Sequence, residues 1–313
     1  MNSLIAVSTA GARHAQTRSL PLPLAALEIG RLTRTITITK NHEKSTMKIY
    51  DLSQPLNEQA PFWPYYPPFE VKYIKRKAEH GVNAQYIQTS NHMGTHLDAP
   101  RHFVTRGMTI DQIPLNWLCG PGVIVDLTDE IDELAVYTPR MIEDRVEVRK
   151  GDILILHTGW HRYAQWGDEA DEEKYIHMHP GAHPDMVPWL LEKEIHIWGV
   201  DVVSTDHPMD LPIGRFLGKG MHGHCDRVRA AAEKKFGGPE GVAKLFPDED
   251  YQLTHNKLFG HNCMHIENLG GEISAPELQN RRLIIGCFPW KFQGGEAAFA
   301  RVVAFDGAWP ENP

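Results

Sequence analysis

The stretch NHMGTHLDAPRHF, residues 91–103, gathers His92, His96, Asp98 and His102 around Gly94 and Pro100. Two imidazoles and a carboxylate form a ligand set for a divalent metal ion. Three protein ligands leave coordination positions open, and a zinc-type ion lowers the pKa of a water there to about 7. This is the arrangement of a hydrolytic site. His102 is either a fourth ligand or a general acid–base. The second role is favoured, because amide hydrolysis needs a proton carried to the leaving nitrogen. One such histidine would ordinarily be a satisfied polar side chain. Four donor residues spaced H-x3-H-x-D-x3-H make that explanation weak. His255 and Glu267 are the next candidates; they flank Gly260, His261, Asn262 and His265.

These side chains need a particular backbone. On a helix, His92 and His96 would share a face. Gly94 and the β-branched Thr95 weaken a helix, however, and Pro100 ends it. A bent strand or loop is expected instead, with Gly94 at the bend. His96 and Asp98 at i and i+2 then point to one side. Strands are expected from Met47, over 71–77 and 83–90, at Val123–Leu127 and Ile153–Leu156, and over the last two apolar segments of the chain. A helix capped near Thr138 carries Pro139 at its first position. Residues 180–206 read as helix then strand. Alternation of strand and helix argues for an α/β fold.

Residues 60–71, APFWPYYPPFEV, form a stiff extended loop because of their prolines. Their aromatics either pack on the core or wall a pocket. Residues 207–254 are the least regular part, with one helix expected to end at Gly237. They read as an insertion or lid, not a second domain. HGHC, 222–225, and His177, His179 and His183 are not taken as ligands. Asp201, Ser204 and Asp206 end a strand, where they face a site or cap a turn. Residues 1–46 differ in composition from the rest. They are expected to be a disordered or dispensable extension, with Met47 as the working start. A targeting segment and an ordered arm are the alternatives.

The chain has 313 residues, 42% apolar and 23% charged, with 18 histidines and four cysteines that form no CxxC. The formal charge of −8 is spread without a basic stripe, which argues against nucleic acid as a partner. No apolar run is long enough for a transmembrane helix. Free thiols suit a reducing compartment, so a cytoplasmic location is expected.

The string HMGTHLDAPRHF, 92–103, resembles the hallmark H-x-G-T-H-x-D-x-P-x-H-F of the metal-dependent cyclase family, matching every fixed position. That family includes bacterial kynurenine formamidase and isatin hydrolase. The resemblance spans roughly 47–313. It implies a compact swivelling β/β/α single domain, with a central mixed sheet or barrel, flanking helices, and assembly as a homodimer or homotetramer. It makes His92, His96 and Asp98 ligands of a first metal and His102 the catalytic acid–base. His255 and Glu267 match the formamidase pair that holds a second metal, bridged by the motif Asp. Isatin hydrolases carry an apolar residue at the Glu position and use a single manganese. The cofactor is therefore zinc or manganese, one or two ions per subunit, and Glu267 points to two.

In the formamidases a Trp within P-x-W-P contacts the aromatic substrate, and PFWP places Trp63 there. They follow it with Gly-Asp, where this chain has Tyr65 and Tyr66. Trp63, Tyr65 and Tyr66 are expected to stack on a small aromatic or cyclic amide. The expected activity is metal-dependent hydrolysis of a carbon–nitrogen amide bond. A lactone hydrolase or a cyclase or dehydratase is the alternative on the same site. A non-catalytic metal- or ligand-binding protein is the alternative of another class.

Overall fold

A computed structural model of the chain describes residues 36–37, 46–164, 169–215 and 224–307. Among the described residues, thirteen strands run in chain order: β1 Ile36–Thr37, β2 Thr46–Asp51, β3 Glu70–Lys75, β4 Ala84–Gln88, β5 His96–Asp98, β6 Cys119–Asp126, β7 Val136–Tyr137, β8 Ile153–His157, β9 Gly181–Ala182, β10 Ile197–Val200, β11 Met264–Glu267, β12 Arg281–Pro289 and β13 Ala297–Asp306. Nine form one sheet in the order β1-β2-β13-β12-β6-β8-β10-β11-β5. β5 also pairs with β13, so the seven strands from β13 to β5 close into a ring.

The ring is mixed. β6, β8, β10 and β11 are parallel. β12 and β5 are antiparallel to both of their neighbours. The parallel strands read ILILH and IWGV, buried along their whole length, as expected where both faces are covered. Alternate side chains go to different cores. Leu97, Ile124, Ile153, Ile155, Ile197, Met264 and Ile266 pack together on one face of the ring. Val123, Val125, Leu154, Leu156, Trp198 and Val200 pack on the other, against Tyr175, Met186 and Leu190 from the helices Glu172–His177 and Met186–Glu192. This α/β ring with flanking helices agrees with the fold expected from the sequence.

Two features depart from expectation. The stretch 207–254, read as irregular, is largely helical over its described residues: Pro208–Asp210, Pro212–Arg215, His224–Phe236, Pro239–Leu245 and the start of Leu253–Leu258. The helix His224–Phe236 is the one expected to end at Gly237, and the others are short, so each of them offers little periodicity. They hold together through a core of their own: Met209, Val228, Ala232, Val242 and Phe246, with Leu134. Gly237, at φ +84°, follows the longest of them. The second departure concerns Tyr65 and is described with the site.

β3 and β4 form a separate two-stranded hairpin. No helix among the described residues is long and apolar enough to cross a membrane. Among the described cysteines, Cys119, Cys263 and Cys287 are free. The extension expected over 1–46 lies outside the described residues except at Ile36, Thr37 and Thr46, where β1 pairs with β2. The side chains of HGHC also lie outside them.

Candidate metal centre

The site lies where β5 meets β11. Gly94 adopts φ +58°, a left-handed bend that favours glycine. Its carbonyl accepts the Nδ1 hydrogen of His96 at 2.9 Å. The chain then enters β5, which turns Leu97 into the core and His96 and Asp98 to the other face. The antiparallel register sets His96 opposite Glu267 and Asp98 opposite His265. Side chains so paired stand about 5 Å apart on one face. A 3-10 turn, Pro100–His102, follows and brings His102 over the same face.

His92 Nδ1 lies 3.0 Å from Asp98 Oδ1 and 3.3 Å from His96 Nε2, and His96 Nε2 lies 3.3 Å from the same oxygen. These separations match the edges of a coordination shell: metal–ligand bonds near 2.0–2.1 Å give tetrahedral edges of about 3.3 Å. Asp98 Oδ2 faces the other way, with His255 Nε2 at 3.9 Å. His255 Nε2 is 3.9 Å from Glu267 Oε1, and His96 Nε2 is 3.6 Å from Glu267 Oε2. Asp98 thus stands between two donor sets, one oxygen toward each.

The residues fit a divalent cation. Asp98 is 1% exposed, yet neither carboxylate oxygen has a hydrogen-bond partner. A buried carboxylate left in this way is costly unless a cation completes it. Burial and the charge of Asp98 also push Glu267 above the usual carboxylate range, which is the cost of crowding two anions. A cation between them relieves it.

Each imidazole has one nitrogen fixed from outside. His96 is held by the Gly94 carbonyl. His92 Nε2 meets Glu296 Oε2 at 2.8 Å. His255 Nδ1 meets Asp206 Oδ2 at 2.7 Å. These partners leave His92 Nδ1, His96 Nε2 and His255 Nε2 to face inward, the usual support of metal-binding histidines. Glu267 is oriented by the Thr205 amide, 3.1 Å from Oε1.

Glu296 carries no sequence signal, because it lies some two hundred residues beyond the motif. Closure of β13 onto β5 brings it in, and its carbonyl accepts the Ala99 amide at 2.9 Å. Its Oε2 is also 2.7 Å from His102 Nδ1. Burial would raise its pKa, but hydrogen bonds from His102 and His92 hold it well below the ordinary range. Asp206, expected either to face a site or to cap a turn, supports the site. It anchors His255 and, through Thr254 and Thr205, reaches His265. Burial and the neighbouring His255 hold His265 well below the usual histidine pKa, so it is neutral. Asp201 pairs instead with His161 at 2.8 Å, away from the centre.

A cavity of about 140 Å³ opens over these groups, walled by Trp63, Tyr66, Phe103, Val203 and Leu211. The aromatic loop therefore serves both purposes considered for it: Phe69 is buried with Ala60 and Met93, whereas Trp63 and Tyr66 face the cavity. Tyr65, expected beside them, does not line the cavity and is 52% exposed. The Tyr66 amide donates to the Trp63 carbonyl at 3.1 Å, closing a turn with Pro64 and Tyr65 at its centre. Tyr65 has φ +88°. Proline followed by a positive φ is a type II turn, whose third position favours glycine. The turn sends the Tyr65 ring outward.

Residues 50–207, about half of the chain and including the whole His92–His102 stretch, match the family described as putative cyclase. The chain belongs to the cyclase family. Among its curated relatives, the kynurenine formamidase of Geobacillus thermodenitrificans is 31% identical over 161 residues, covering 50% of this chain and 69% of the relative. The kynurenine formamidase of Bacillus anthracis is 32% identical over 166 residues, covering 53% and 73%. Among solved structures, an isatin hydrolase bound to the product analogue thioisatinate superposes with a TM-score of 0.61 at 24% identity, over 84% of this chain and 93% of that one. The cyclase-family match ends at His207, so His255, Glu267 and Glu296 are placed here by the fold.

Proposed function

We propose that this cyclase-family chain is a metal-dependent hydrolase of a carbon–nitrogen amide bond in a small aromatic or cyclic substrate. The observation that carries this is Asp98, buried, with one carboxylate oxygen beside the His92 and His96 nitrogens and the other turned toward His255. His92, His96 and Asp98 would hold one divalent ion; Asp98, His255 and Glu267 would hold a second. Such ions, zinc or manganese, supply Lewis acidity that polarises a carbonyl and makes water nucleophilic near neutral pH.

The remaining steps belong to the protein. Glu296 accepts the Nδ1 hydrogen of His102, which leaves His102 Nε2 free to exchange protons. His102 Nε2 takes a proton as a water oxygen bonds to the carbonyl carbon. It returns that proton to the amide nitrogen as the C–N bond breaks, giving an amine and a carboxylic acid, which then loses its own proton to solvent to become the carboxylate. Trp63 and Tyr66 wall the cavity and orient a flat ring.

Assembly as a homodimer or homotetramer belongs to the same proposal. The β3–β4 hairpin exposes Tyr73, Ile74, Val82, Tyr86 and Ile87. A two-stranded hairpin is marginal alone, so a second copy is the natural cover.

The test is metal analysis of purified protein with hydrolysis assays on N-formylkynurenine, isatin and related amides and lactones. Turnover of an amide with loss on chelation supports the proposal. Turnover of lactones alone would replace the amide assignment.

A further inference from the structure

His265 lies at the centre of the site, yet the proposed ligand sets do not use it. It is wholly buried, and its Nε2 has no hydrogen-bond partner. Register places it opposite Asp98, on the same face as Glu267. Donor atoms of Asp98, His255 and His265 all lie within 4.8 Å of one another.

The hydrogen-bond chain behind it fixes its tautomer. The Thr254 hydroxyl donates to Asp206 Oδ1 at 2.6 Å, so its hydrogen is committed. Thr205 Oγ1 lies 2.8 Å from Thr254 Oγ1. Only the Thr205 hydrogen can occupy that gap. Thr205 Oγ1 must therefore accept from His265 Nδ1, 2.7 Å away. The Nδ1 of His265 carries the hydrogen and Nε2 carries a lone pair aimed into the site. His92, His96 and His255 are supported in the same way, and such outer support is typical of histidine ligands.

We infer that His265 Nε2 is a further ligand of the second ion, so that Asp98, His255, Glu267 and His265 together hold it. This rests on the two-ion proposal above. Asp206 then orients both imidazoles of that half, His255 directly and His265 through two threonines. Two imidazoles on each side of Asp98 make both halves suited to borderline ions such as zinc or cobalt rather than to magnesium or calcium.

The test is Co²⁺ titration of the metal-stripped full chain, followed by equilibrium dialysis and visible absorption. Wild type takes up two equivalents. His265→Met keeps the equivalent that His92→Ala loses, and binds the other at least tenfold more weakly, with a changed spectrum. Thr205→Val keeps the imidazole but removes its support, and weakens the same equivalent by about 10–100-fold. If His265→Met fails to fold, Thr205→Val decides. Wild-type affinity for both equivalents in the folded variants overturns the assignment of His265. A wild-type chain that takes only one equivalent overturns the two-ion proposal itself, and this inference with it.

Discussion

His102 Nδ1 and Glu296 Oε2 are 2.7 Å apart, and the same oxygen lies 2.8 Å from His92 Nε2. One carboxylate thus supports both the proposed proton carrier and a proposed metal ligand. Glu296→Ala is expected to lower kcat by about 10²-fold at saturating metal, with a smaller change in KM. Glu296→Gln keeps an acceptor without the charge, and the loss should be milder. Metal affinity should fall by about 10–100-fold in the Ala variant, through His92. Steady-state kinetics over a metal titration separates the two effects. An unchanged kcat in both variants would remove Glu296 from the proposal.

His207 gives the fold a sensitivity to acid. It is fully buried; its Nδ1 accepts the Met209 amide at 3.0 Å and its Nε2 donates to the Leu134 carbonyl at 3.1 Å. Only the neutral ring satisfies both. Burial depresses its pKa to about 3. Below pH ~6.5 the unfolded chain binds a proton that the folded chain does not. Stability is therefore full above that pH and declines as pH falls toward about 3. His207→Gln is expected to cost roughly 1–3 kcal/mol at pH 7. In urea denaturation across pH 7 to 4, the gap between variant and wild type should narrow. A gap that stays constant would contradict this account.

Tyr65 occupies a glycine position of a type II turn. A non-glycine residue there costs roughly 1–2 kcal/mol, partly offset by the greater unfolded-state entropy of glycine. Tyr65→Gly should leave stability unchanged or raise it by up to about 1 kcal/mol, in contrast to most substitutions of an aromatic residue. Thermal melts check this. A clear loss of stability would mean that the Tyr65 ring makes contacts that outweigh the strain.

Ile74 and Ile87, on the hairpin, are 57% and 49% exposed. If a second copy covers them, Ile74→Lys with Ile87→Lys should shift the chain toward monomer. Sedimentation velocity at matched concentrations reads this directly. An unchanged distribution would place the contact elsewhere.

Much of the fold was legible because ring strands such as β8 and β10 are buried, largely apolar runs and the helix Pro139–Glu143 begins with a recognisable cap at Thr138. His92, His96, Asp98 and His102 were legible because they are close in sequence, with Gly94 and Pro100 marking the bend. Asp206 was legible only as a strand-end residue that faces a site or caps a turn, and the roles of Glu296 and His265 were not legible. Glu296 reaches the site only when β13 closes onto β5, and His265 acquires its place from the register of β11 against β5. Neither pairing leaves a local pattern. Tyr65 was misplaced because the direction of a side chain depends on the turn type. The helix ending at Gly237 was legible, but the shorter helices around it were missed because they are stabilised by packing around Phe246, not by periodicity.

The most direct test of the central claim is the metal content of purified protein after exhaustive dialysis, for wild type and Asp98→Asn, alongside circular dichroism to show that both are folded. Asp98 serves both donor sets, so wild type should retain two divalent ions per chain and the variant should lose both. A folded variant that keeps its metal, or a wild-type chain without metal whose amide hydrolysis is indifferent to chelators, would contradict the account.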